Sequence, residues 1–198
     1  MEKYLESSKY IDWKTPEIVS LAKRIASNKE IDAEIAKACF VWVRDNIKHS
    51  SDYKLNPVTC AASDVLKQGT GYCYAKSHLL AALLRANGIP AGLCYQRLSI
   101  YENGAPYCLH GLNAVYLNDF GWYRMDARGN KEGVNAQFTP PTEKLAFPIV
   151  DSNESDFSEI WHSPLPVVVD VLEKYKTYDE VLSNLPDIDI VKNSINIQ

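Results

Sequence analysis

An α+β fold is what the sequence predicts, on three observations. Apolar residues recur at three and four through the first half, a run from Cys73 to Asn87 combines strong helix formers with apolar residues on more than one face, and three stretches of strand composition follow between Ala91 and Asp126. The length of 198 residues, 46% hydrophobic and 23% charged, suits a single globular domain with a sizeable core.

In chain order, Ile18, Leu21 and Ile25 mark an amphipathic helix from Pro16 to about Ser27, with Thr15 as N-cap and Pro16 at the first helical position. Ile35, Ala38, Val41 and Trp42 mark a second from Ile31 to Ile47. The polar stretch His49 to Thr59, with Asn56-Pro57, reads as a loop, and a short helix over Ala61 to Lys67 is stopped by Gly69-Thr70-Gly71. Cys73 to Asn87 is then the central, largely buried helix, closed by Asn87-Gly88-Ile89-Pro90. Ala91 to Ile100, Leu109 to Leu117 and Gly121 to Asp126 read as strands, the last two joined through Asn118-Asp119-Phe120-Gly121. Beyond Arg128 the chain is Pro-rich and irregular, with helices expected near Val167 to Lys176 and Tyr178 to Asn184.

Charge and cysteine content narrow the class. A formal net charge of −4, with 21 basic and 25 acidic residues and no basic run, disfavours nucleic-acid binding. The N-terminal residues lack the apolar core of a signal peptide, and no apolar run approaches the roughly 18 residues that span a bilayer, so a cytoplasmic protein without membrane contact is expected. Five cysteines (Cys39, Cys60, Cys73, Cys94, Cys108) form no C-x-x-C and no dense framework, which argues against a structural zinc site.

Cys73 stands at the start of a helix just after Gly71, where unpaired N–H groups and the positive end of the macrodipole favour a thiolate and could hold an oxyanion. A buried structural cysteine is the alternative. His110 shares a strand face with Leu112, Ala114 and Tyr116, which directs its imidazole toward the helix layer and within reach of Cys73, unless it is a core histidine satisfied by a neighbour. Asp126 ends the next strand and could fix the imidazole's tautomer, provided that an odd-length connection or a bulge at Gly121 brings residues 110 and 126 to one face.

The run Gly69-Thr-Gly-Tyr-Cys-Tyr-Ala-Lys-Ser-His through Arg85-Ala-Asn-Gly-Ile-Pro-Ala91, followed by His110-Gly-Leu-Asn-Ala-Val-Tyr-Leu and Gly121-Trp-Tyr-Arg-Met-Asp126, resembles the transglutaminase-like superfamily. The resemblance implies a papain-like core, with the nucleophile helix packed on an antiparallel sheet. It also implies a triad of Cys73 as nucleophile, His110 as base and acid, and Asp126 as orienter. It covers about residues 40–130, leaving about 131–198 as an extension without an assignable motif. Gly111 and Asn113 stand where many relatives carry an aromatic and an acidic residue, which points to an altered groove floor. For the oxyanion side chain, which varies across the superfamily, Tyr53 is the candidate and Gln68 the runner-up; His49, His78 and His162 read as surface or packing residues.

The chemistry expected is acyl transfer on peptide or isopeptide amides through a thioester, with hydrolysis favoured and no cofactor required. A transglutaminase using an amine acceptor, a non-catalytic peptide-binding module that keeps the fold, and a zinc enzyme using Cys73, Cys108 and His110 are the other readings.

Overall fold

The computed structural model describes residues 1–101 and 104–188. After a short 3-10 turn at Glu2–Tyr4, helices α1 (Pro16–Ala26) and α2 (Asp32–Asn46) bury Ile18, Leu21 and Ala22, and Ala36, Cys39, Phe40 and Val43, respectively. In α1 this is the stripe the three-and-four spacing predicts, with Ile25 half-buried beside it. In α2 the expectation is corrected: Ile35, Ala38, Val41 and Trp42 are only half-buried, and the buried stripe is rotated to their neighbours. Thr15 holds the N-cap position, but its hydroxyl donates to the Asp12 carbonyl at 2.6 Å rather than capping the helix; Pro16 removes one of the N–H groups a cap would have had to satisfy.

The stretch expected to be a loop after residue 48 is more ordered than its composition suggests. Strand β1 (Lys48–His49) pairs in parallel with β2 (Thr70–Gly71), and helix α3 (Ser50–Tyr53) follows, ending at Lys54 in the left-handed region, φ 53°. Thr70 holds this pair together: its hydroxyl donates to the Lys48 carbonyl at 3.0 Å, and its own carbonyl accepts from Thr59 Oγ1 at 2.9 Å. Between them α4 (Ala62–Gln68) ends at Gly69, φ 67°, as a glycine stop should.

The central helix α5 (Cys73–Ala86) is buried from Cys73 through Arg85, packed between α1, α2 and α4 on one side and the sheet on the other. Carbonyls accept from most of its polar members, while His78 Nε2 is buried without a hydrogen-bond partner among the described residues. The Lys76 ammonium donates to Ile47 and Arg44 at the end of α2, and burial lowers it to about 7. The Arg85 guanidinium donates to Ala91, Glu6 and His162, and His78 Nδ1 donates to Cys60 at 2.8 Å.

Strands β3 (Ala91–Ser99), β4 (Tyr107–Leu117), β5 (Gly121–Met125) and β6 (Ser155–Asp156) form one antiparallel sheet in the order β5-β4-β3-β6. Residues 118–120 connect Leu117 to its partner Gly121, whose φ of 72° closes the turn; this is the odd-length connection the site requires. Asn113 then faces Met125, and one further step of that register sets Asp126 beside Leu112, on the face that carries His110. That face is not the one against α5. Leu109 and Val115 join the core with α5, whereas Leu112 and Ala114 pack with Cys94, Trp122, Leu145 and Ile160. The expectation that His110 points into the helix layer is therefore corrected: the C-terminal residues cover its face.

The chain after Asp126 wraps this outer face and returns to the front. Helices α6 (Pro166–Lys174) and α7 (Tyr178–Leu182) bury Val168, Val169, Leu172 and Val181, and α7 carries a full capping box from Thr177 and Glu180. Past α7, the Leu109 N–H donates to the Pro186 carbonyl at 2.7 Å, and Arg97 grips Asp187 through two bonds of 2.7 and 2.6 Å. Among the described residues no helix is long and apolar enough to cross a membrane.

Candidate active site

A cavity of about 550 Å³ opens where the start of α5 meets β4, bordered by Cys73, His110, His49, Arg128, Phe147 and Leu185 among others. Cys73 is the first residue of α5, so its sulfur lies beside first-turn N–H groups that have no intrahelical acceptor. The Gly111 N–H donates to Cys73 Sγ at 3.5 Å. This close approach depends on the missing side chain. A Cβ on Gly111 would lie 3.0 Å from Tyr74 Cδ1, 3.1 Å from Tyr74 Cα and 3.2 Å from Tyr74 N, so glycine lets the first turn of α5 seat on the strand. That contact explains how His110, on the outer face, still meets Cys73 where the helix begins.

His110 is 5% exposed and Asp126 fully buried, with Nε2 of the imidazole 2.7 Å from Asp126 Oδ2. Nδ1 is thereby left on the Cys73 side, and the nearby sulfur also favours a proton on the imidazole. Asp126 is saturated: besides His110 it accepts the N–H of Arg128 at 3.0 Å and of Ala146 at 3.1 Å. Burial works against a charge on either partner, yet the mutual attraction prevails. It raises His110 to about 10, helped by the Cys73 sulfur, and with the hydrogen bonds it lowers Asp126. The Phe147 ring stands edge-on to the imidazole at 5.0 Å and shields it from solvent. An imidazole that holds its proton at neutral pH, next to a sulfur at a helix N-terminus, is equipped to protonate a leaving amine.

The structure brings Cys73, His110 and Asp126 together, but not the oxyanion candidates. Tyr53 is 57% exposed, with its ring beneath the Lys48 ammonium at 5.3 Å, because α3 turns Ser51 and Asp52 toward the cavity and Tyr53 away from it. Gln68 is exposed at the end of α4. Asn113 does not line the cavity either; it is buried and donates to the Ser77 and Gly92 carbonyls at 2.9 and 3.2 Å, tying β4 to α5 and β3.

Two contributors escaped the sequence reading. His49, 6% exposed, borders the cavity because its parallel pairing sets it opposite Gly71. The second is the extension, whose Ala146 holds Asp126 and whose Phe147 covers His110; no local pattern signals either. All five cysteines are free. Burial pushes Cys39, Cys60, Cys94 and Cys108 up to about 12, so these four remain thiols. Cys108 borders the cavity with Cys73 and His110, yet among the described residues His, Cys, Asp and Glu form no group of three that could hold a metal ion.

The sequence profile of the transglutaminase-like superfamily matches residues 19–127, a span that contains all three of these residues. Among solved structures, the chain is similar to a proposed cysteine protease from Cytophaga hutchinsonii, with 22% identity, a TM-score of 0.49, and coverage of 63% of this chain and 40% of that one. It is similar also to the periplasmic domain of TgpA from Pseudomonas aeruginosa, with 20% identity, a TM-score of 0.48, and coverage of 63% and 45%. It thus spans less than half the length of either. Among curated protein sequences none matches. On the profile match over residues 19–127 of its 198, the chain belongs to the transglutaminase-like superfamily.

Proposed function

We propose that this protein is a thiol-dependent acyl-transfer enzyme that hydrolyses peptide or isopeptide amides through Cys73, His110 and Asp126. The observation that carries the reading is the bond from His110 Nε2 to a saturated, buried Asp126, which fixes the ring with Nδ1 toward Cys73 at the mouth of a cavity. The Cys73 thiolate attacks the amide carbonyl carbon; the S–C bond forms and the carbonyl π pair moves to oxygen. As the tetrahedral species collapses, the C–N bond breaks and His110 gives its proton to the departing amine, leaving a thioester. Water then attacks the thioester carbon, passes its proton to His110, and expels the thiolate with release of the acid. An amine in the place of water would yield transamidation by the same residues.

The test needs no known substrate. Limiting iodoacetamide, followed by peptide mapping across pH, should alkylate Cys73 rapidly below pH 7 while the other four cysteines stay unmodified. In His110→Ala the alkylation of Cys73 at neutral pH should slow markedly. Cys73 reacting no faster than the others would overturn the proposal and favour a binding module that keeps the fold.

A further inference from the structure

We propose that His49 supplies the side-chain donor of the oxyanion hole, a role that rests on the acyl-transfer reading above. Attack on a carbonyl turns its oxygen into an alkoxide, which needs donors already in place on the cavity wall beside the nucleophile. The first-turn N–H of Cys73 provides one. A side chain on the cavity wall can provide the second, and the structure narrows the choice. The Tyr72 hydroxyl is committed to the Tyr178 carbonyl, and the Arg128 guanidinium to the two oxygens of Asp52 at 2.7 and 3.0 Å. Tyr53 and Gln68 lie outside the cavity.

His49 is placed by backbone pairing. It lies opposite Gly71 in the β1–β2 pair, and its ring stands edge-on to Tyr72, the residue before Cys73, with centroids 5.4 Å apart. Its Nδ1 is 3.1 Å from the Ser51 hydroxyl. With that hydroxyl donating to Nδ1, the ring hydrogen resides on Nε2, which has no hydrogen-bond partner among the described residues. The Asp52 carboxylate, 3.8 Å from the same Nδ1, is beyond hydrogen-bond reach and is held by Arg128 and by Lys131 at 2.7 Å.

The groups that face His49 also keep it uncharged. Burial, the Arg128 guanidinium, the Lys76 ammonium and His110 all disfavour a proton there; Asp52 alone favours one, and the ring titrates well below 6.5. A neutral imidazole with its hydrogen on Nε2 can donate to a developing alkoxide without competing with His110 for the proton in flight.

The test compares two reactions of Cys73. Acylation by p-nitrophenyl acetate passes through an oxyanion: the S–C bond forms, the carbonyl pair moves to oxygen, and collapse expels p-nitrophenolate with the C–O pair. Alkylation by iodoacetamide displaces iodide at a CH₂ carbon and forms no oxyanion. In His49→Phe, which keeps a ring against Tyr72 but has no donor, the acylation burst should slow by about 10²–10³-fold. The alkylation rate at neutral pH should stay within about twofold of wild type. His49→Gln, which restores an N–H, should recover about tenfold or more of the loss. Parallel loss of both rates in His49→Phe would show that His49 merely positions Cys73 and His110, and unchanged acylation would show that the oxyanion is held elsewhere; either overturns the assignment. Slow alkylation of wild-type Cys73 would instead sink the acyl-transfer reading itself.

Discussion

Gly111→Ala tests whether the seat of α5 on β4 sets the reactivity of Cys73. The added methyl would meet Tyr74 Cδ1 at 3.0 Å, Tyr74 Cα at 3.1 Å and Tyr74 N at 3.2 Å. The ring atom can swing aside, but Cα and N belong to the backbone of the helix's first turn, so α5 must lift by a few tenths of an ångström. Overpacking of this kind costs about 1–3 kcal/mol, and at about 2–4 °C per kcal/mol for a chain of this length the melting temperature should fall by roughly 5 °C. The chemical cost is of similar size, because the same shift lengthens the 3.5 Å contact from the Gly111 N–H to Cys73 Sγ and carries the sulfur away from His110. A misplacement approaching 1 Å costs on the order of 10²-fold in rate, so acylation by p-nitrophenyl acetate should drop about 10- to 100-fold. Stopped-flow release of p-nitrophenolate, with a thermal melt on the same sample, measures both. A variant that melts lower yet acylates at the wild-type rate would refute the link between helix seat and nucleophile.

Four further outcomes are expected. Cys73→Ala should abolish the p-nitrophenolate burst, while Asp126→Asn should fold and acylate about 10²–10⁴-fold more slowly, because its NH₂ must face one of the N–H donors that now reach the carboxylate; an unimpaired Asp126→Asn burst would contradict that role. Burial lowers His78 from 6.5 to about 4, against the bond to Cys60 that raises it. The unfolded chain therefore binds a proton in that window that the folded chain does not, and stability present above pH 6.5 falls by about 3 kcal/mol as the pH drops to about 4. Urea titrations should show His78→Gln losing that slope, and parallel slopes would refute it. Arg97→Ala should release Asp187 and with it the Pro186 carbonyl on the Leu109 N–H; at about 1.5–3 kcal/mol for a bond to a charged group, exchange of the Leu109 amide should quicken by roughly tenfold or more, and unaltered exchange would show that α7 alone holds the segment.

What could be read from the sequence was whatever a local period encodes. The stripe of α1, the all-round burial of α5 and the β4–β5 hairpin with its glycine at 121 each express a repeat, or a turn requirement, within a dozen residues. The grouping of Cys73, His110 and Asp126 was implied by the resemblance to the superfamily, and strand register by itself only permitted it. The rest depends on pairings too short or too distant to leave a period. A two-residue strand turns His49 inward, and a four-residue helix turns Tyr53 outward, so both residues were misplaced by composition alone. Likewise the side of the sheet that His110 occupies is decided by Leu145, Phe147 and Ile160, which lie in irregular chain.

Asp126 is held in place by three donors, two of which are the backbone N–H groups of Arg128 and Ala146. The side chain that orients the imidazole is therefore also the anchor from which the cavity wall hangs, since Phe147 follows Ala146 directly. Mutational drift is channelled by this sharing. Residues that merely border the cavity, such as Val150 and Leu182, can change without disturbing the carboxylate, whereas an insertion between Arg128 and Ala146 must still return the chain to the same oxygen. Diversification of what the cavity accepts is thus directed toward the segment beyond Phe147 and the turn of α7, with the charged pair at the centre insulated from it.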